Sequence, residues 1–164
     1  MVIEGYVSRG YHGELVRVEV DLRRGIPGME IVGLPDGAVR EARERVRAAL
    51  RNSGFSVPRE RILINLAPAD VKKEGTAFDL PIAAAVLAAS GQLLGPPETR
   101  ILVVGELELS GRVRAVRGVL AAAAAAMQGE CCFCIVPGGN LGEARIAAGS
   151  RAAGLDRLSR LPLL

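Results

Sequence analysis

The stretch NLAPADVKKEGTAFDLPIAAAVL, Asn65 to Leu87, decides how this chain is read. An apolar run (Ile62, Leu63, Ile64, Leu66) enters it as a strand, and Pro68 stops that run because proline cannot donate into a β-ladder. Lys72, Lys73, Glu74 and Gly75 form a short polar turn. The alanine-rich run from about Ala77 to Ala89 then predicts a buried helix. A strand, a charged turn and a helix N-terminus together collect free backbone N–H groups, so chemistry is sought here first.

Upstream, residues 2–8 and 14–22 predict paired strands. In the second, Leu15, Arg17, Glu19 and Asp21 alternate with Val16, Val18, Val20 and Leu22. Gly10 to Gly13 supply the turn, and the single histidine, His12, sits in it. A third strand near Met29–Leu34 ends at Pro35, and Asp36 is placed to cap a helix from Gly37 to about Asn52. Val39, Ala42, Val46, Ala49 and Leu50 share its apolar face. Arg40, Arg43, Arg47 and Arg51 share another, while Glu41 and Arg45 form a surface pair. The arginine stripe has two readings, a phosphate-facing surface or a solvated face.

Downstream, the predicted elements are a strand Ile101–Leu107, a helix Gly118–Met127, a strand Cys131–Val136 broken by Pro137, and a short helix Asn140–Ala148. A tail with Leu155, Leu158 and Leu161 follows. This order indicates an α/β sandwich.

Composition narrows the function. With 164 residues, 49% hydrophobic and 24% charged, the chain fits one globular domain. Aromatics are 3% and tryptophan is absent, which weakens any site built on stacked bases. Net charge is +3, and the only lysines are Lys72 and Lys73. No signal-peptide pattern or membrane-length apolar run is visible, which predicts a soluble, cytoplasmic chain without a membrane partner. Cys131, Cys132 and Cys134 lie in one apolar run and predict buried thiols in a core strand.

Catalytic and cofactor patterns are missing. A Walker loop needs lysine directly after glycine, and neither lysine follows one. One histidine and no Gly-x-Ser-x-Gly elbow argue against a Ser-His-Asp site, and no His, Cys, Asp and Glu cluster has metal spacing. A Ser-Lys dyad needs a serine at the junction, yet none lies between Ser56 and Ser90, and Thr76 is the only hydroxyl there. The run Gly138-Gly139-Asn140-Leu141-Gly142 could receive an anion but reads as a helix entry.

Several separated blocks resemble the ComM/YifB family, bacterial Mg-chelatase-like AAA+ ATPases. They are Ile31–Asp36, the arginine helix ending at Phe55, Asn65–Gly75 with Phe78–Ala83, Gly105–Leu107 with Ser110-Gly111, and Val136-Pro137 with Asn140 and Glu143. The resemblance covers the family's N-terminal domain, residues 1–150. Residues 151–164 would be a tail leading toward an AAA+ module that would carry ATP and Mg. That domain is in turn similar to the Lon proteolytic domain and the RadA C-terminal domain, a two-layer sandwich of the ribosomal-protein-like second-domain type.

The resemblance places a Lon-type serine at Ala77 and the lysine at Leu120, so both halves of the dyad would be lost and no catalytic residue would remain. It implies a non-catalytic domain of a hexameric DNA motor acting in branch migration during natural transformation. The domain's partners would be its own AAA+ module, neighbouring subunits and possibly DNA. Candidate phosphate contacts are Arg40, Arg43, Arg47, Arg51, Lys72 and Lys73. Lys73-Glu74-Gly75 is either a turn shaping the helix entry or a contact to DNA or a subunit. The alternatives are a module that binds only protein, and a residual hydrolase using Thr76 with Lys72 or Lys73.

Overall fold

The computed structural model describes residues 1–10 and 12–164. Strands β1 (Val2–Arg9) and β2 (His12–Arg23) pair antiparallel, with Gly5 opposite Val16. Strand β3 (Gly28–Val32) runs parallel to β4 (Arg61–Ala67), which pairs antiparallel with β2. Helix α1 (Gly37–Asn52) joins β3 to β4, and α2 (Asp79–Ala89) joins β4 to β5 (Arg100–Val103). The chain continues through a ribbon of β6 (Glu106–Leu107) and β7 (Val113–Arg114) to α3 (Val119–Gln128), β8 (Phe133–Pro137), α4 (Leu141–Ala148) and β9 (Ala152–Leu155). The seven-stranded sheet has the order β3-β4-β2-β1-β5-β8-β9 and is mixed. The fold class is α/β, as the sequence predicts.

Helix α1 follows its sequence signals closely. Asp36 caps it by accepting the Val39 N–H at 2.8 Å, and the five predicted apolar positions are the buried ones. Gly33 precedes the cap at φ 99°, and a Cβ there would stand 2.2 Å from the Leu66 carbonyl oxygen. Only glycine lets β3 turn toward α1 while pressed against β4.

The two-layer expectation needs correction. On β1, β5 and β8, Ile3, Val7, Val103 and Ile135 belong to the core under α1 and α2. Tyr6, Leu102, Val104, Cys134 and Val136 belong to a second core under α3 and α4. Successive side chains point to opposite faces, so these strands carry helices on both sides. Strands β3 and β4 and the later part of β2 are two-layered, with Arg17, Glu19, Asp21 and Glu30 on the open face, while Leu15 at the start of β2 packs against the second core.

Other sequence boundaries also move. The predicted strand Ile101–Leu107 is broken at Gly105, whose N–H donates to Ala77 at 3.1 Å and whose carbonyl accepts from Leu80 at 3.0 Å. The chain leaves the sheet there to close the first turn of α2. His12 opens β2 opposite Arg9 instead of occupying a turn, and Tyr11 lies outside the described residues. Of the cysteines, Cys131 and Cys134 are buried and Cys132 is exposed, with only Cys134 in a strand. All three are free thiols, and burial pushes Cys134 up to about 11.

The division at residue 150 is the largest correction. Residues 152–155 form an edge strand parallel to β8, and Leu155, Leu158 and Leu161 are at most 2% exposed in the main core. Val113 N–H donates to Asp156 and Leu158 N–H to Gly111, fastening this segment to the β6–β7 ribbon. Burying three leucines stabilises the fold by roughly 5–9 kcal/mol, so the segment is part of the domain.

Candidate functional site

The junction is built on α2, which is buried from Asp79 to Leu87. Asp79 is the one charge inside that buried run. Its carboxylate accepts from Arg45 Nε at 2.7 Å, Arg45 Nη2 at 3.0 Å and the Leu107 N–H at 3.1 Å. Burial pushes the Asp79 carboxyl upward, opposed by Arg45 and the Leu107 N–H, while the hydrogen bond to Asp79 raises the Arg45 guanidinium. The predicted Glu41–Arg45 pair exists at 3.7 Å but is secondary to this inward contact. Glu4 is held similarly, 2% exposed and bonded by Arg100 Nη2 at 3.0 Å.

Lys73 is fully buried, and its ammonium donates to the Pro68 carbonyl. Desolvation lowers its pKa, with the Asp70 and Glu14 charges opposing. Its backbone bonds on both sides, N–H to Leu34 at 3.0 Å and carbonyl from Asp36 at 2.9 Å. Burial removes Lys73 from the candidate phosphate contacts, which corrects that expectation. Lys72 is exposed and 3.1 Å from Glu74.

Thr76 hydrogen-bonds a carboxylate, donating from Oγ1 to Glu106 Oε2 at 2.6 Å. The two sit in a cleft of about 420 Å³ whose lining also includes Ser8, Glu74, Ala77 and Arg117. Val119 lines this cleft and Leu120 does not; Leu120 is 42% exposed on α3. The structure therefore places Ala77 in the cleft without bringing Leu120 to it. The hydrogen-bond partner of the Thr76 hydroxyl is a carboxylate. At the glycine-rich helix entry, the Asp156 carboxylate packs against Gly138 and Asn140 bonds both backbone groups of Val116. An acid in that position disfavours an anion.

The arginine stripe stands apart from the cleft. Arg40, Arg43 and Arg51 are exposed, and Arg47 is half-buried with its Nε enclosed and unpartnered. Among the described residues, none of the four has a carboxylate within ion-pair distance. Asp79, Arg45 and Glu106 are the residues the sequence reading missed. A lone acid heading an apolar helix was the visible signal for Asp79.

No group of three or more His, Cys, Asp or Glu among the described residues could hold a metal ion. No described helix is long and apolar enough to cross a membrane.

The sequence that builds this cleft at the head of a buried helix and this separate arginine face is matched over residues 18–140 by the family described as subunit ChlI of Mg-chelatase. The chain belongs to that family. It is 46% identical over 129 residues to competence protein ComM of Haemophilus influenzae, covering 79% of this chain and 25% of that protein. It is 45% identical over 127 residues to the uncharacterized protein YifB of Escherichia coli, covering 77% and 25%. An uncharacterized protein of Mycobacterium tuberculosis is 44% identical over 153 residues, covering 93% and 30%. The chain thus spans less than a third of the length of these curated relatives.

The family description names magnesium, and no group of three or more carboxylates, histidines or cysteines among the described residues fits a metal ion.

Proposed function

We propose that this chain is a non-catalytic N-terminal domain of a longer ComM/YifB-like AAA+ ATPase. It guides DNA, helps assemble a hexameric ring, or both, during branch migration in natural transformation. The observation that carries this reading is the row of uncompensated arginines on α1. Such a row neutralises phosphates without reading sequence, and binding through it weakens steeply with salt. Kinship to a competence protein supports the same direction. The Lon-type ancestry belongs to this proposal, supported by the Lys73–Ala77 motif at the head of the buried helix. ATP and Mg would be held by the ATPase module, which together with neighbouring subunits would be the protein partner.

The absence of catalysis in this chain is part of the proposal. It is supported by the alanine at position 77, by Leu120 not being among the residues that line the cleft, and by the Thr76–Glu106 bond.

Fluorescence anisotropy of the purified chain with single-stranded and branched DNA, at low and moderate salt, tests the reading. Salt-sensitive binding lost in Arg43→Glu/Arg47→Glu is expected. Absence of binding at low salt would refute DNA guidance by this chain and leave ring assembly as its role.

A further inference from the structure

The β2–β3 connection carries Arg24-Gly25-Ile26-Pro27, which the stripe does not include. Ile26 is 89% exposed, the highest value among the large hydrophobics described. It stands on the rim of a hollow of about 640 Å³ whose walls bring Arg24, Arg61 and Arg43 together from the loop, β4 and α1. Glu30 is the only acid lining this hollow, and it is engaged by Arg61 at 3.0 Å. Among the described residues, neither Arg24 nor Arg43 has a carboxylate in ion-pair distance.

Three guanidinium groups around one hollow repel one another mildly in water, and two of them have no anion of their own. Planar forked donors of this kind match phosphate oxygens. An isoleucine at the tip of such a loop buries nothing in the fold. Apolar tips of that size are what DNA-binding proteins set between base steps. Arg43 belongs both to the hollow and to the α1 stripe, so the two surfaces are continuous.

We propose that the β2–β3 loop is a second DNA contact, in which Arg24, Arg43 and Arg61 hold a backbone phosphate and Ile26 packs against an unstacked base. This rests on the DNA-guiding reading and adds a substrate class: DNA whose base stack is already open, as at a fork or junction. Open DNA avoids unstacking a base step, which gives it an advantage of roughly thirtyfold or more over continuous duplex.

The test is anisotropy of the full chain with a continuous duplex and a forked DNA of equal length, over a salt series. Ile26→Ser is expected to retain duplex affinity and salt slope while losing the preference for the fork. Arg24→Ser/Arg61→Ser is expected to weaken both forms and to lower the salt slope by about 1–2. All three residues are on the surface, so these variants keep the fold. Equal wild-type affinity for both forms would overturn the proposal. So would an unchanged preference in Ile26→Ser, or an unchanged slope in the double variant. In those cases the stripe reading survives if Arg43→Glu/Arg47→Glu still abolishes binding. No binding by the wild type overturns both.

Discussion

Replacing Asp79 by asparagine should destabilise the domain by about 3 kcal/mol. Asp79 is fully buried and accepts two bonds from Arg45 and one from the Leu107 N–H. Asparagine keeps the shape but loses the charge, and turns an amide donor toward groups that already donate. Breaking a buried pair costs about 3–5 kcal/mol because the remaining charge is left uncompensated. The Arg45 side chain keeps 21% exposure, which places the expectation at the lower end of that range. For a chain of this length each kcal/mol lowers Tm by roughly 2–4 °C, giving a fall of about 6–12 °C. Thermal and urea unfolding followed by circular dichroism would read this. Burial outweighs Arg45 in setting the Asp79 carboxyl, so the pair as a unit adds little beyond what apolar packing would supply. The double variant Arg45→Met/Asp79→Leu should therefore recover at least half of the loss measured for Asp79→Leu alone. A loss under about 0.5 kcal/mol in Asp79→Asn, or a double variant equal to the sum of its singles, would refute the reasoning.

Three further perturbations have defined outcomes. Lys73 has a folded pKa below its unfolded value, so the native state binds fewer protons at alkaline pH and this group adds stability as pH rises through the folded pKa toward the ordinary lysine value. Urea midpoints at rising alkaline pH should show that gain in wild type and lack it in Lys73→Met. Gly33→Ala places a Cβ against the Leu66 carbonyl at a left-handed φ, and urea unfolding should register a loss of roughly 1–3 kcal/mol. Deleting residues 152–164 removes β9 and three buried leucines. That loss of roughly 5–9 kcal/mol rivals a whole domain's stability, so the shortened chain should lose its cooperative transition.

Legibility in the sequence followed locality. Helix α1 was readable to the residue because its cap, its apolar period and its ending all lie within the segment. The role of residues 152–155 was not, since Ala-Ala-Gly-Leu carries no strand propensity and becomes a strand only through its pairing with β8. The break at Gly105 was marked only by Gly105-Glu106 interrupting the apolar run, because it depends on two bonds to the start of α2. Burial of Lys73 was likewise invisible, since two adjacent lysines in a charged turn read as solvated. The candidate stripe was legible from spacing alone. Its partners across the hollow, Arg24 and Arg61, come from distant elements that only the fold brings near Arg43.

That contrast bears on the Lys73-Glu74-Gly75 turn, for which the sequence left a structural and a binding role open. The Lys73 backbone bonds to Leu34 and Asp36, and the Gly75 N–H donates to the Asp36 carboxylate at 3.2 Å. Asp36 uses its other carboxylate oxygen to cap α1. Arg45, about two and a half turns into α1, is bound to Asp79 a few residues beyond the turn. Several contacts of the junction therefore fix α1, at its cap and again at its middle. The arginines split accordingly: Arg45 and Arg100 reach buried carboxylates, while Arg40, Arg43, Arg51 and the loop Arg24 are exposed. A rigidly held helix presents its outer charges at fixed spacing, which reduces the ordering cost when they engage a phosphate backbone. Under the proposed DNA-guiding role the turn acts by positioning, and substitutions in it should weaken DNA binding only to the extent that they loosen α1.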